Sequence, residues 1–292
     1  MQGKIIRGIG GFYYVHTHQG VYECRARGIF RKDKEKPLPG DLVSISVLDE
    51  TEKKGNLDEI LPRTNSLIRP AVANVDQALV IFALVSPKPN FNLLDRFLVL
   101  MEKQGIPALI CMNKTDLASD EMIAEVRERY RTSGYPLLFV SAAQKEGIEA
   151  IREYLRGKTT TVAGPSGVGK SSLINLLQDG VQMQTGAVSE KIERGRHTTR
   201  HTELIPVGNS GAVLDTPGFS LLDNIEIEPR EIKNCYPEFR AVRGECRFNG
   251  CIHVSEPGCA VKKGGENVIS RGRYERYVHL VKEAEENKRN RF

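Results

Sequence analysis

The sequence predicts a parallel α/β domain with helices on both faces of its sheet. An N-terminal all-β barrel precedes it, and a C-terminal, mainly helical region containing a cysteine cluster follows. Three observations predict this. Short alternating runs broken by glycines fill roughly the first 66 residues. From about residue 70, continuous apolar runs alternate with helical patterns. Three of the six cysteines crowd with His253 into residues 246–259. The 292 residues accommodate roughly two or three domains, with expected bounds 1–66, 67–222 and 223–292.

Lys4–Ile9, Phe12–His16, Val21–Arg25 and Asp41–Val47 alternate apolar with polar and read as short strands. The segment has the size of a five-stranded OB-fold barrel, an architecture that binds oligonucleotides. Phe12, Tyr13, Tyr14 and Tyr22 are expected to fill this barrel rather than stack on bases. Ala78–Val85 is apolar throughout, as in a strand buried on both faces. The helix Leu93–Gln104, strand Ala108–Met112, helix Asp120–Arg131, strand Leu137–Ser141 and helix Gly147–Leu155 follow. Next come the strand Thr160–Ala163 and the helix Lys170–Leu177. Thr202–Val207 and Ala212–Asp215 flank Gly208-Asn209-Ser210-Gly211 and read as a hairpin on the sheet edge. A helix is expected over about Val268–Asn287.

No run of about 18 apolar residues exists, so no membrane helix is expected. The N-terminus has no secretory pattern, and a cytoplasmic location is expected. The net charge is modest, 42 basic against 37 acidic residues. Six Lys/Arg against two acids between Arg25 and Lys36, and nine against five Glu from Lys262 onward, are candidate contacts for nucleic-acid phosphates.

Gly164-Pro165-Ser166-Gly167-Val168-Gly169-Lys170-Ser171 fits G-x-x-x-x-G-K-[ST] between a strand and a helix. The glycines let backbone N–H groups turn toward a phosphate chain, and the helix N-terminus adds its dipole. Lys170 is expected at the β- and γ-phosphates, Ser171 on Mg²⁺, and Ser172 beside them. Asn113-Lys114-Thr115-Asp116 ends a strand. The Asp116 carboxylate can accept from guanine N1–H and the N2 amine, a donor pair adenine lacks. Asn113 would support the site and the Lys114 stem would cover the base. Ser141-Ala142 ends the next strand, where a backbone N–H would meet the guanine oxygen. Asp215-Thr216-Pro217-Gly218 closes another strand. Asp215 is expected to hold Mg²⁺ through water, and the Gly218 N–H to approach the γ-phosphate. Thr199 or Thr198 would complete the Mg²⁺ shell. Phe219 stands where many GTPases carry a water-orienting glutamine, which leaves His197 as the nearest group able to orient a water.

Together these are the parts of a P-loop GTPase in rotated order: base reader, Ser-Ala, phosphate loop, switch I, γ-phosphate sensor (G4-G5-G1-G2-G3). The fold class expected is therefore a circularly permuted α/β P-loop GTPase. Compact domains with neighbouring termini tolerate such rotation. The loop after Asp215 then leads directly into the C-terminal region, to which nucleotide state would be transmitted. In that region Cys246, Cys251, His253 and Cys259 offer three thiolates and an imidazole, the set of a closed structural Zn²⁺ site. The region has little apolar sequence, and metal would supply the missing folding energy. Cys235 is expected to pack instead.

The OB-like N-terminus, NKTD, SA, GPSGVGKSS, GRHTTRHTEL, DTPGF and CRFNGCIHVSEPGC resemble the RsgA (YjeQ/YloQ) family over essentially the whole chain. These are bacterial small-ribosomal-subunit biogenesis GTPases. The resemblance implies an OB domain, a permuted GTPase domain and a zinc domain. It also implies binding of the 30S subunit and 16S rRNA late in maturation, GTP turnover to GDP stimulated by the subunit, and His197 as the catalytic histidine. Nothing in the sequence suggests more than a monomer. Two rival readings remain: a regulatory GTPase acting on a protein or membrane partner, and an RNA-binding module in which the nucleotide is only a structural ligand.

Overall fold

The computed structural model describes residues 1–26, 36–68, 71–178, 203–207, 211–215 and 227–290. The described chain divides into two compact units. The first comprises Met1–Gln77, Ala150–Val162 and Ser171–Phe219; the second comprises Ala78–Glu149, Ala163–Lys170 and Ser220–Phe292. Among the described residues no helix is long and apolar enough to cross a membrane.

In the first unit, β1 (Gln2–Ile9), β2 (Phe12–Thr17), β3 (Gly20–Ala26), β4 (Leu42–Asp49) and β5 (Lys54–Ile60) form the five-stranded barrel. Its order is β1-β2-β3-β5-β4, and β4 returns to β1 through Gly3↔Val43. Every pairing is antiparallel except β3 with β5. Alternation delivers Ile5, Val15, Tyr22, Cys24, Val43, Ile45 and Leu57 to the interior. The four aromatics part ways. Tyr22 fills the core, whereas Phe12, Tyr13 and Tyr14 are half-buried. The Arg7 guanidinium lies 4.2 Å over Tyr14 and that of Arg25 4.8 Å over Phe12.

A short hairpin, β6 (Ser66–Ile68) and β7 (Ala71–Ala73), follows the barrel. The second unit then begins with β8 (Gln77–Ala83), α1 (Phe91–Lys103), β9 (Ala108–Asn113), α2 (Asp120–Tyr130), β10 (Leu137–Phe139) and the start of α3 (Ile148–Leu155). β8, β9 and β10 are parallel neighbours, and β8 and β9 are buried along their whole length. Burial of both faces explains their unbroken apolar runs. Asn90 caps α1 and Ser119 caps α2, each accepting from an N–H three residues on.

β11 (Thr159–Ala163) and α4 (Lys170–Gln178) bracket the phosphate loop. In the first unit β11 pairs in parallel with β13 (Gly211–Asp215), which pairs antiparallel with β12 (Glu203–Val207). The expected hairpin forms, but β12 is not a free edge. It pairs with barrel strand β1 at Arg7↔Glu203, beside an Arg7–Glu203 ion pair at 3.4 Å. Pairing satisfies polar groups that an edge would leave open.

The C-terminal part of the second unit holds 3₁₀ turns at Ile232–Cys235, Pro237–Val242 and Gly265–Asn267, the short helix α5 (Ala260–Gly264), and α6 (Arg271–Arg289). It has a core of its own, contrary to its apolar-poor appearance. Tyr236 packs against Phe239 at 5.5 Å and edge-on to Tyr277 at 4.8 Å, and Val99 of α1 joins the cluster. Aromatic side chains supply the area that few aliphatic ones could.

Candidate nucleotide pocket and metal centre

The phosphate loop curls between Ala163 and Lys170. Gly164 and Gly169 have φ of +141° and +94°. Close approach requires glycine at both. A Cβ on Gly164 would stand 2.0 Å from the Ile81 carbonyl oxygen, and one on Gly169 would stand 2.3 Å from Asn113 Nδ2. Val168 is buried and anchors the loop. Lys170 Nζ donates to the carbonyls of Gly164 (2.8 Å) and Pro165 (2.6 Å), which folds its charge over the loop. Gly167 turns with φ +80°, and Ser166 is part of the same turn. Ser171 and Ser172 are exposed in the first turn of α4, whose Leu173, Ile174 and Leu177 are buried. Helical spacing separates the two faces.

Asn113, at the end of β9, is 1% exposed and joins three segments. Its Nδ2 donates to the Val168 carbonyl at 2.8 Å, and its Oδ1 accepts from the Ala142 N–H at 3.0 Å. The residue expected merely to support the site therefore ties the base-reading segment to both the phosphate loop and Ser-Ala. The Ala142 N–H is thus used by Asn113, because a buried amide oxygen requires a donor. Ser141 lies in the loop after β10 rather than within the strand, and bridges to Glu146. Its hydroxyl donates to Asp116 Oδ1 and accepts from Gln144 N at 3.0 Å. The exposed Asp116 carboxylate is thereby held by one oxygen, leaving lone pairs for a donor pair. Lys114 has a left-handed φ of +67°, and its Nζ donates to the Gly167 carbonyl at 2.8 Å.

Asp215 ends β13, but its side chain lies outside the described residues. So do His197, Thr198, Thr199, Gly218 and Phe219, and most of the basic run from Arg25 to Lys36. The basic C-terminal stretch is partly internal. Arg273 is 0% exposed, its Nε donating to Glu238 Oε1 and its Nη1 to Asp95 Oδ1. Arg276 Nε donates to Asp95 Oδ2, and Tyr130 Oη to Asp95 Oδ1 at 2.8 Å. Burial works against the Arg273 charge, yet Asp95 and Glu238 outweigh it and hold the guanidinium well above its ordinary pKa. These two arginines are not phosphate contacts.

Cys246, Cys251, His253 and Cys259 converge, their ligand atoms all within 4.8 Å of one another. His253 Nδ1 lies 3.5, 3.5 and 3.4 Å from the three sulfurs in turn. A tetrahedral zinc with ordinary Zn–S and Zn–N bonds implies an S···N edge of about 3.6 Å, so the donor set fits. The supporting shell is also present. Ala260 N donates to Cys246 Sγ at 3.3 Å, and Tyr274 Oη donates to the His253 carbonyl at 2.8 Å. Burial first, then nearby Lys233, lowers the His253 pKa, favouring the neutral ring that binds metal. Glu256 accepts from Ile252, Val254 and Ser255 N–H groups; burial opposes its charge, but these bonds win and lower its pKa. Cys235 stays apart in the core, where burial pushes its thiol up to about 11.

A structural metal held by these four residues predicts that chelation opens the loops of 243–259 while the aromatic core holds α6. Limited proteolysis should cut that segment at least about tenfold faster, and added Zn²⁺ should reverse this. An unchanged cleavage pattern would reject a structural metal.

The RsgA GTPase family model matches residues 60–225, and the RsgA N-terminal domain model matches residues 2–55. A small ribosomal subunit biogenesis GTPase RsgA from Agathobacter rectalis is 53% identical, covering 97% of this chain and 98% of its own. One from Caldanaerobacter subterraneus subsp. tengcongensis is 47% identical over 100% and 98%. Among solved structures, YjeQ from Thermotoga maritima superposes with a TM-score of 0.83 at 36% identity, covering 97% of this chain and 98% of that one. YloQ, described as a circularly permuted GTPase, gives 0.82 at 39% identity, covering 98% and 95%.

Proposed function

Because this chain belongs to the RsgA GTPase family of GTP hydrolases, we propose that it binds the small (30S) ribosomal subunit and 16S rRNA and assists late maturation of that subunit. On this reading it hydrolyses GTP to GDP and phosphate when the subunit stimulates it. The observation that carries the nucleotide half is the Asn113 clamp. One buried amide joins a base-reading carboxylate segment to a phosphate loop, within one compact unit.

In this reading Asp116 accepts from the guanine edge, with Ser141 and Ala142 closing that side and the Lys114 stem lying over the ring. The N–H groups of 164–169, with Ser171 and Ser172, cradle the phosphates, and Lys170 balances charge at the β- and γ-phosphates. Ser171, Asp215 and either Thr199 or Thr198 would hold a magnesium ion. Such an ion would neutralise charge on the phosphates. Gly218 senses the γ-phosphate and His197 orients the water. Cys246, Cys251, His253 and Cys259 hold one structural zinc. The barrel over 1–66, the GTPase domain over 67–222 and the zinc region over 223–292 are the domains proposed, in a cytoplasmic monomer.

Turnover with and without purified small subunits tests this, alongside co-sedimentation in a non-hydrolysable GTP analogue. Stimulation and co-sedimentation are expected, and His197→Ala should lose about 10²-fold or more of the stimulated rate. Turnover indifferent to subunits would favour a protein or membrane target. Binding to subunits without any turnover would favour the RNA-binding module. Unchanged stimulated turnover in His197→Ala would remove that residue's role.

A further inference from the structure

We propose that the Ser86–Pro87 turn is a positioning element for the base-covering lysine: the Ser86 carbonyl sets where the Lys114 stem lies over the guanine ring. The proposal rests on the guanine-nucleotide reading above and adds a residue that none of the motifs contains.

Residues 84–90 connect β8 to α1. Both ends are fixed. The Leu84 N–H donates to the Asn113 carbonyl at 3.0 Å, and Asn90 caps α1 by accepting from Leu93 N at 3.1 Å. Between them Ser86 adopts a left-handed φ of +50°. Its carbonyl accepts from Lys114 Nζ, the same ammonium that donates to the Gly167 carbonyl. Pro87 lies against the phosphate loop, its Cδ 3.8 Å from where a Cβ on Gly167 would stand. The lysine head is thus held between two loops, one carrying phosphate-binding glycines and the other in no recognised motif.

Two acceptors from two segments determine more than one does. Held by Gly167 alone, the ammonium can swing about that carbonyl and the four-carbon stem leaves the face of the base. Held by both, the ammonium has one place and the stem one course, and a ring lying against it gains a pre-organised cover. The Ser86 carbonyl points to the lysine because of the left-handed turn. That conformation suits Gly, is open to a small polar residue, and strains a β-branched one.

The test uses the full-length chain and a fluorescent GDP analogue, with GDP and GTP as competitors. Ser86→Val should weaken GDP and GTP alike by about tenfold, because the lysine covers the base and not the γ-phosphate. The turnover at saturating GTP should persist, and the melting temperature should stay within about 2 °C. Ser86→Gly, which keeps the turn, should retain wild-type affinity. In a Lys114→Met background Ser86→Val should cost nothing further, since both act through one side chain. Ser86→Thr, also β-branched, gives the same reading should the valine variant not fold. Wild-type affinity in the β-branched variants would overturn the proposal, as would equal losses in Ser86→Gly or additive losses in the double variant. A wild-type chain binding ATP as tightly as GTP would remove the guanine reading, and the proposal with it.

Discussion

Replacing Asp116 with asparagine should weaken GTP binding by about 10²- to 10³-fold and improve binding of xanthosine triphosphate in the same assay. The carboxylate offers acceptors to two guanine donors, each charge-assisted bond being worth about 1.5–3 kcal/mol. An amide keeps one acceptor and turns an N–H₂ toward the guanine N2 amine, donor against donor. Xanthine carries a carbonyl at that place and accepts from the amide. Asp116 is exposed and oriented by the Ser141 hydroxyl, so water competes and the lower end of the summed range applies. Competitive titration with GTP, ITP and XTP measures it. Retention of GTP within a few-fold would mean that the base is read elsewhere.

Removing the Arg273 guanidinium should cost about 3–5 kcal/mol of folding stability, as expected when one partner of a buried ion pair is deleted. Arg273→Met would leave Asp95 and Glu238 charged in a site that is 0–3% exposed. The double variant Arg273→Met, Glu238→Gln should recover most of the loss, because Asp95 keeps Arg276 and Tyr130 while the stranded Glu238 charge is gone. Urea denaturation of the three chains decides this. A single variant within about 1 kcal/mol of wild type would show that water reaches the cluster. The cluster joins Asp95 of α1 and Tyr130 of α2 to Glu238 and Arg273 of the C-terminal region. Glu238 and Arg273 are therefore held to α1 by buried charge pairs.

Elements and motifs were legible for local reasons. The apolar run of β8 and the alternation in β1 to β3 follow from the faces each strand buries. The phosphate loop follows from a glycine pattern between strand and helix, and the cysteine–histidine cluster from residue type at short spacing. The ends of elements were less legible. The apolar run extends to Ser141 in the sequence, yet its carboxylate-orienting hydroxyl sits in a loop after Phe139. The β12–β13 hairpin was read correctly, but its edge is covered by a strand about 200 residues earlier.

What this sequence determined by itself is the chemistry on offer: a phosphate-loop glycine pattern, a carboxylate suited to a guanine edge, a clustered cysteine–histidine set, and their rotated order. Each is written in neighbouring residues, so spacing along the chain is enough to see it. What only the tertiary structure decided is which groups meet. Asn113 reaches Val168, Lys114 reaches Ser86, and Arg273 reaches Asp95 across 55, 28 and 178 positions. An arginine in a basic stretch carries the same letter whether it faces water or two buried carboxylates. Its role is set by desolvation and by partners that folding alone brings within hydrogen-bonding distance.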